Sequence, residues 1–227
     1  MTVRAMALAA TVAVAMAGCH RKPQPLTPAA SRYASLVAQA PDSFDVEMTT
    51  TRGVIGLRVR RAWSPHGSDR FYALVKSGFY TDIAFHRTMR NFVAQFGIHG
   101  DTSVSRAFRG SNIPDDTVRA PNRRGTFSYA RGGRNTRGTQ LFFNLVDNTP
   151  RLDTLNGFGF PPIGEITSGL TVLDSLYWEY TGTRGGQTFP GPSQDSINRQ
   201  GNAYLRRAFP KLDYIIRSRV VRTFGGR

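Results

Sequence analysis

Arg87 is the residue whose type and surrounding sequence most clearly suggest a catalytic role. In the segment FHRTMRNFVAQF, residues 85–96, Arg87 follows an aromatic–histidine pair, five residues before Phe92 and eight before Gln95. Several bulky apolar side chains share this segment. A guanidinium keeps its proton at any working pH and presents a rigid fork of hydrogen-bond donors. Arg87 is therefore a candidate fixed donor placed beside an apolar wall.

A second segment, GTFSYARGGRNTRGTQLFFNL at residues 125–145, has the composition of the other half of such a site. Gln140 and Phe142 flank Leu141. On a strand the two flanking side chains share one face, while Leu141 points the other way. The pattern predicts a polar and an aromatic group next to each other on one surface.

Together these segments resemble the active-site segments of cyclophilins, the peptidyl-prolyl cis-trans isomerases. The resemblance runs from Asp45 to Val221 and includes TTTRGVIGLRV, FYALVKSGFYTDIAFHR and RLDTLNGFGFPPIGEITSGLTVLD, in the order typical of the family. An FHR tripeptide alone occurs by chance, so the order of separated motifs carries the argument. The resemblance implies a mainly β fold, a closed antiparallel barrel of about eight strands capped by two α-helices.

The same resemblance assigns roles to individual residues. It implies a catalytic group of Arg87, Phe92 and Gln95. It implies substrate-binding positions at Val93, Tyr129, Ala130, Gln140, Phe142, Leu152 and Phe160. The chain departs from the best-known pattern at Arg151, where many eukaryotic members have a tryptophan that contacts cyclosporin, and at Phe160, which replaces a pocket histidine.

The implied reaction is rotation about an Xaa-Pro peptide bond, and it needs no cofactor and no metal. Arg87 would donate a hydrogen bond to the proline nitrogen as the bond twists, so the proposed rotation transfers no proton and His86 is expected to be structural. The histidine spacings do not match HExxH, and Cys19 is the only cysteine, so no zinc site is predicted. The glycine-rich runs GTRGG and RGGRNTRG do not have the order of a phosphate-binding loop.

The periodicity of apolar residues predicts the elements that position these groups. Alternation predicts a hairpin over 44–60, and three- and four-residue spacing predicts helices over Ser68–Ser77 and near Thr171–Tyr180. Further short strands are predicted at Ile83–His86, Phe92–Phe96, Phe127–Ala130, Gln140–Leu145, Ile163–Ile166 and Tyr214–Val221.

The N-terminus carries a targeting pattern. Arg4 precedes the apolar run Ala5–Ala17, and Met16-Ala17-Gly18-Cys19 resembles the lipobox of bacterial lipoproteins. We therefore expect a lipoprotein signal peptide at 1–18, lipidation at Cys19, a proline-containing tether at 19–42 and the isomerase domain at 43–227. An ordinary cleaved signal with an incidental cysteine is the alternative. The resemblance favours a periplasm-facing position in the bacterial envelope, with the outer membrane slightly preferred because His20 follows the cysteine.

The charge of the chain is not explained by the resemblance. Thirty Lys and Arg against fifteen Asp and Glu give a net charge of +15. Such a surface attracts anionic lipid or acidic polypeptides, and an arginine-rich genome is the alternative origin. An export signal argues against nucleic acid as the partner.

These observations predict a monomeric envelope isomerase with proline-containing polypeptides as clients. A cyclophilin-like module that holds such segments without catalysis remains the alternative. Arg87, Phe92, Gln95 and Gln140 together favour the enzyme, because a holding surface has no need of a donor above the bond.

Overall fold

The computed structural model describes residues 39–225, which form eleven strands and four α-helices. The strands are β1 (Ser43–Thr50), β2 (Gly53–Arg60), β3 (Ile83–Ala84), β4 (Arg87–Thr88), β5 (Val93–Phe96), β6 (Thr126–Tyr129), β7 (Leu141–Asn144), β8 (Pro162–Ser168), β9 (Thr181–Arg184), β10 (Gln187–Pro190) and β11 (Tyr214–Phe224). The helices are α1 (Pro65–Lys76), α2 (Thr102–Ala107), α3 (Thr149–Leu152) and α4 (Gln194–Ala208), with 3-10 turns at Arg61–Trp63, Leu155–Gly157 and Leu170–Ser175.

Nine of the strands form one antiparallel sheet in the order β3-β11-β1-β2-β8-β6-β7-β5-β4. Its two outer strands, β3 and β4, are separated in the chain only by Phe85 and His86. Ala84 and Arg87 can therefore lie at most about 11 Å apart, whereas nine strands laid flat would separate the edges by about 38 Å. The sheet must curl round on itself. The predicted mainly β fold with a curled antiparallel sheet is confirmed. The sheet has nine strands where about eight were predicted, and the described part has four α-helices where two were predicted.

A row of phenylalanines fills the inside of the curled sheet. Phe85, Phe96, Phe127 and Phe143 are each at most 1% exposed. Neighbouring rings contact each other, with centroids 5.2 Å apart for Phe96–Phe143 and 5.6 Å for Phe127–Phe143. Such pairs add about 0.5–1.5 kcal/mol beyond the burial of their area. Because side chains alternate along a strand, the residues next to Phe96 and Phe143 must face outward.

The predicted hairpin and first helix are confirmed. Phe44, Val46 and Met48 are buried along β1, as the alternation requires. Helix α1 begins at Pro65, three residues earlier than predicted, because proline fits the first turn and the Asp116 carboxylate accepts hydrogen bonds from backbone N–H groups of that turn.

The predicted second helix near Thr171–Tyr180 is wrong. The segment forms only a 3-10 turn, Leu170–Ser175, and Leu176 is already extended. In a continued α-helix the N–H of Tyr177 would bond to the carbonyl of Leu173, but here it donates to Asp213 Oδ2 at 2.7 Å. The buried residues Leu173 and Leu176 are three apart, which fits a 3-10 turn as well as an α-helix.

Two elements in the C-terminal third were not predicted. Helix α4 has a break at Gly201, where φ is +60° and an added Cβ would lie 2.0 Å from the Gly100 carbonyl oxygen. This glycine interrupts the apolar period that would have indicated a helix. Strands β9 and β10 form a separate hairpin whose turn glycines, Gly185 and Gly186, both have positive φ as a tight hairpin turn demands.

The predicted signal peptide at 1–18, Cys19 and most of the predicted tether lie outside the described residues. Ala40, placed in the tether by the sequence, is 4% exposed, and its N–H donates to Asp69 at 2.9 Å. The packed domain therefore begins a few residues before 43. Within 39–225, none of the helices is both long enough and apolar enough to cross a membrane.

Candidate active site

Three of the predicted site residues lie side by side across neighbouring strands. Arg87 on β4 pairs with Gln95 on β5, and Gln95 pairs with Phe142 on β7. Their strand neighbours Phe96 and Phe143 point into the core, so Gln95 and Phe142 face the outer side of the sheet. The strand register thus brings a cation, an amide and an aromatic ring to one surface.

A series of hydrogen bonds holds the polar side of this surface. Arg87 donates from Nη1 to Gln95 Oε1 at 3.2 Å, and Gln95 donates from Nε2 to Gln140 Oε1 at 2.9 Å. Gln140 in turn donates to Gln194 Oε1 at 3.1 Å. The sequence did not indicate Gln194, because it lies at the start of the unpredicted helix α4. These amides fix one edge of the guanidinium.

The other edge of Arg87 contacts a residue that the sequence reasoning missed. Its Nη2 donates to Met89 Sδ at 2.8 Å. Strand alternation was the available signal, since Met89 is two residues after Arg87 and shares its face. Burial lowers the pKa of the Arg87 guanidinium, and the positive charge of Arg151 lowers it further. Arginine still keeps its proton in proteins, so the consequence is a poorly hydrated donor that interacts strongly with a suitable acceptor.

An apolar pocket adjoins the polar row. Val93, Phe142 and Leu152 are buried, with Phe92, Ala130 and Phe160 packed partly exposed against them. Phe142 and Phe160 meet edge to face at 5.7 Å between centroids. These residues line a cleft of about 640 Å³ together with Arg87, Gln95 and Gln140. The cleft has the size of a pocket for a small ligand or a short peptide segment.

Tyr129 is the one predicted binding residue that the structure does not place in the cleft. It is 1% exposed and belongs to the main core. Ala130, the next residue, lines the cleft. Adjacent residues of an extended strand face opposite sides of a sheet, so Tyr129, the last residue of β6, points into the core while Ala130 faces the cleft.

The two residues at which the chain departs from the family pattern are both at the cleft. The Arg151 guanidinium lies over the Phe92 ring, 4.1 Å from its centroid, and is exposed. Phe160 supplies a pocket wall. The Arg87 guanidinium lies 5.9 Å from the centroid of the same ring, so two cations flank Phe92.

A buried ion network supports the segment that forms one side of the cleft. Arg137 is 0% exposed and contacts Asp116 at 2.9 Å and Asp115 at 3.3 Å. Its neighbours Thr136 and Gly138 line the cleft. Burial alone would raise the pKa of Asp116, but hydrogen bonds from Ser64 and Gly67 and the charge of Arg137 together lower it. The glycine-rich run is evident in the sequence, but the burial of Arg137 within it is not.

His86 precedes Arg87 and is 2% exposed. Burial, followed by the adjacent Arg87 charge, lowers the pKa of His86 from 6.5 to about 4. In the unfolded chain it would take up a proton below its ordinary pKa, whereas the folded chain resists protonation until about pH 4. The folded state therefore gains its full stability from this group above pH 6.5 and loses it progressively as the pH falls toward 4.

This shift gives a testable pH dependence. Lowering the pH from about 7 to about 4 should reduce the free energy of unfolding by about 3 kcal/mol through His86, because only the unfolded chain takes up a proton there over most of this range. Urea unfolding of wild type and His86→Met at both pH values measures this, and the variant should lose about 3 kcal/mol less than wild type. Carboxylates such as Asp116 contribute equally to both proteins. An identical pH dependence of the two would contradict the assignment.

Comparisons with known proteins agree with the predicted family and fold. The family model described as cyclophilin type peptidyl-prolyl cis-trans isomerase matches residues 45–192. A peptidyl-prolyl cis-trans isomerase of Helicobacter pylori is 37% identical over 131 residues, covering 56% of this chain and 76% of its own. A relative with the same activity name from Streptomyces antibioticus is 32% identical over 152 residues, covering 64% of this chain and 90% of its own.

A solved cyclophilin-type isomerase of Cryptosporidium parvum matches the structure with a TM-score of 0.56 at 17% identity, covering 80% of this chain and 99% of its own. At that identity the likeness concerns the fold alone. With the family model matching most of the described chain, this protein belongs to the cyclophilin-type peptidyl-prolyl cis-trans isomerase family. It is therefore an isomerase by class.

Proposed function

We propose that this cyclophilin-type isomerase speeds rotation about Xaa-Pro bonds in proteins of the bacterial cell envelope, to which a lipid on Cys19 attaches it. The observation that supports the catalytic role most is Arg87, held by Gln95 at 3.2 Å at the edge of an apolar pocket. Family membership supports the reaction class.

The reaction is limited by the resonance of the peptide bond. Rotation costs about 18–20 kcal/mol, and Xaa-Pro bonds alone populate both isomers appreciably. In the twisted transition state the proline nitrogen becomes pyramidal and regains a lone pair. A donor above that nitrogen binds the twisted state better than either planar one, which lowers the barrier.

Arg87 would supply that donor. One edge of its guanidinium is already engaged by Gln95, so orienting it for the substrate costs little reorganisation. Phe92, Phe142 and Leu152 would hold the proline ring against the apolar side of the cleft. Gln140 would bind the substrate backbone through its amide. The rotation forms no covalent intermediate.

A related structure supports the choice of substrate. The cyclophilin-type isomerase of Cryptosporidium parvum was also solved in the presence of the dipeptide Ala-Pro, and that structure matches this chain with a TM-score of 0.54. We infer that the corresponding cleft here accepts a proline-containing segment of a client polypeptide.

Refolding of a protein with a proline-limited slow phase tests the proposed function. Uncatalysed isomerisation takes about 10–100 s at 25 °C, so acceleration by the mature chain is easily observed. We expect the slow phase to become faster in proportion to the concentration of the chain. Suppressed aggregation with an unchanged slow phase would instead support the non-catalytic binding module.

The envelope role depends on Met16-Ala17-Gly18-Cys19 and its resemblance to a lipobox. We expect the mature chain to begin at an acylated Cys19 and to partition with membranes, with the outer membrane slightly favoured. Cys19→Ser should block processing or release the chain into the soluble fraction, as measured by membrane fractionation and by mass spectrometry of the mature N-terminus. An unmodified thiol on a membrane-free mature chain would exclude the anchor.

The basic surface suits a position next to anionic lipid or acidic polypeptides. Arg217 and Arg222 are exposed on β11, and the whole chain has a net charge of +15. Positive charge near a surface attracts anions over about 8 Å at physiological salt. We propose anionic lipid or acidic polypeptide, not nucleic acid, as the contact, and a monomer as the working form.

A further inference from the structure

The charged side chains that line the cleft are all positive. Its lining includes four arginines, Arg87, Arg109, Arg131 and Arg151, and contains no aspartate or glutamate within the described part of the chain. A cleft lined by one sign of charge with apolar walls concentrates the opposite charge. The cleft therefore favours an anionic ligand, provided that these arginines are not neutralised by neighbours.

One of the four is neutralised. Arg131 lies 2.6 Å from Asp115, its side chain is 1% exposed, and it stacks on Phe158 at 4.1 Å. Its charge belongs to the buried ion network. Arg87, Arg109 and Arg151 make no ion pair with any residue between 39 and 225. Their charges remain available to a bound segment.

Of the three, Arg151 is the best placed to contact the side chain of a residue next to proline. It is exposed, yet its guanidinium is positioned over the Phe92 ring at 4.1 Å, and Phe92 is a wall of the proposed proline pocket. Arg87 approaches the same ring at 5.9 Å. Two uncompensated cations beside one ring repel each other, and a carboxylate bound there would relieve that repulsion.

Arg109 extends the positive charge to another part of the cleft. It follows the end of α2, is exposed, and lines the cleft with Phe108 and Asn112. Arg87 and Arg151 lie over the Phe92 ring of the apolar pocket, whereas Arg109 does not stack on a pocket ring among residues 39–225. Its contribution to binding should therefore be smaller and less dependent on the exact position of the acid.

We propose that this cleft selects client segments in which an aspartate or glutamate flanks the proline, with Arg151 as the main specificity-determining residue and Arg109 as a secondary one. The inference rests on the proposed isomerase function and names its substrate class. Because an extended chain advances about 3.3–3.6 Å per residue, a carboxylate that reaches the cation beside the pocket wall must lie within about two residues of the proline.

The test uses matched short peptides that differ only by Glu or Gln, placed either directly before or directly after the proline. At low ionic strength, kcat/KM should favour the Glu peptide by about fivefold in at least one position, the size expected for an exposed ion pair. The ratio should fall toward one as salt is raised, because screening shortens the reach of the charge from about 30 Å at 0.01 M to about 3 Å at 1 M.

Arg151→Gln removes the charge and keeps most of the side-chain length, so the Glu-to-Gln ratio should fall below about twofold, as for a lost exposed pair. Arg217→Gln is the matched control. Arg217 is an exposed arginine on β11 outside the cleft lining, so the wild-type ratio should persist. A ratio that persists in Arg151→Gln would overturn the role of Arg151.

The outcomes separate this inference from the proposed function. A wild-type ratio near one at low salt, with the Gln peptides turned over, would overturn the acidic preference and leave the isomerase function standing. If no peptide is turned over, the function fails, and the ratio of dissociation constants from NMR titration of the same peptides still decides the preference. A preference that salt does not change would also overturn the charge-based account.

Discussion

Replacing Arg87 by alanine is expected to lower kcat/KM for a short Xaa-Pro peptide by about a hundred- to a thousandfold. The expectation follows from its geometry, in which Gln95 fixes one edge of a partly buried guanidinium and leaves the donor poised beside the pocket. Arg87→Lys should recover only part of the activity, because an ammonium lacks the planar fork that two partners can share. Both variants are to be compared with wild type at equal folded concentration.

Arg90→Ala is the matched control for this prediction. Arg90 lies three residues further along the same segment, is exposed, and packs over Trp178 at 5.2 Å outside the cleft lining. Its loss should leave kcat/KM within about threefold of wild type, far from the effect of a preorganised donor. Circular dichroism and melting temperature should change little in Arg87→Ala. Activity of that variant within about threefold of wild type would show that Arg87 is not the donor.

Replacing Arg137 by methionine should lower the free energy of unfolding by about 3–5 kcal/mol. The change keeps the length and the apolar part of the side chain but leaves Asp116 without its buried cation and Asp115 with Arg131 alone. Asp116 also accepts from the first N–H groups of α1, so the loss should affect that helix and the cleft segment together. Urea unfolding measures the effect.

The control for Arg137 is an exposed ion pair of similar length. Arg206 and Asp82 lie 2.7 Å apart, with side chains 58% and 53% exposed. Because water screens both partners, Arg206→Met should cost no more than about 1 kcal/mol. Equal losses from the two substitutions would contradict the view that burial makes the Arg137 network critical.

Strand alternation made much of the site predictable from the sequence. Gln95 and Phe142 face the cleft because Phe96 and Phe143 fill the core, and that pattern is visible in the order of residues. The same rule excludes Tyr129 from the cleft once Ala130 is placed there. The resemblance assigned both residues a binding role, and only the sheet geometry separates them.

The features that were not predicted depend on contacts between distant parts of the chain. Arg137 is buried because Asp115 and Asp116, about twenty residues earlier, fold against it, which no local pattern reveals. Helix α4 was hidden by Gly201, whose backbone packs against Gly100. The helix expected near Thr171–Tyr180 is stopped by Asp213, which takes the N–H of Tyr177. The periodicity of apolar residues along a short segment does not reveal contacts with distant residues that compete with the local structure.

The most direct test of the central claim is NMR exchange between the cis and trans forms of one Xaa-Pro peptide in the presence of the mature chain. Without a catalyst this exchange takes about 10–100 s, too slow to broaden or transfer signals during the measurement. Wild type at catalytic concentrations should produce clear exchange between the two isomers, and Arg87→Ala at the same concentration should produce almost none. Absence of exchange with folded wild type, or equal exchange with both proteins, would contradict the account.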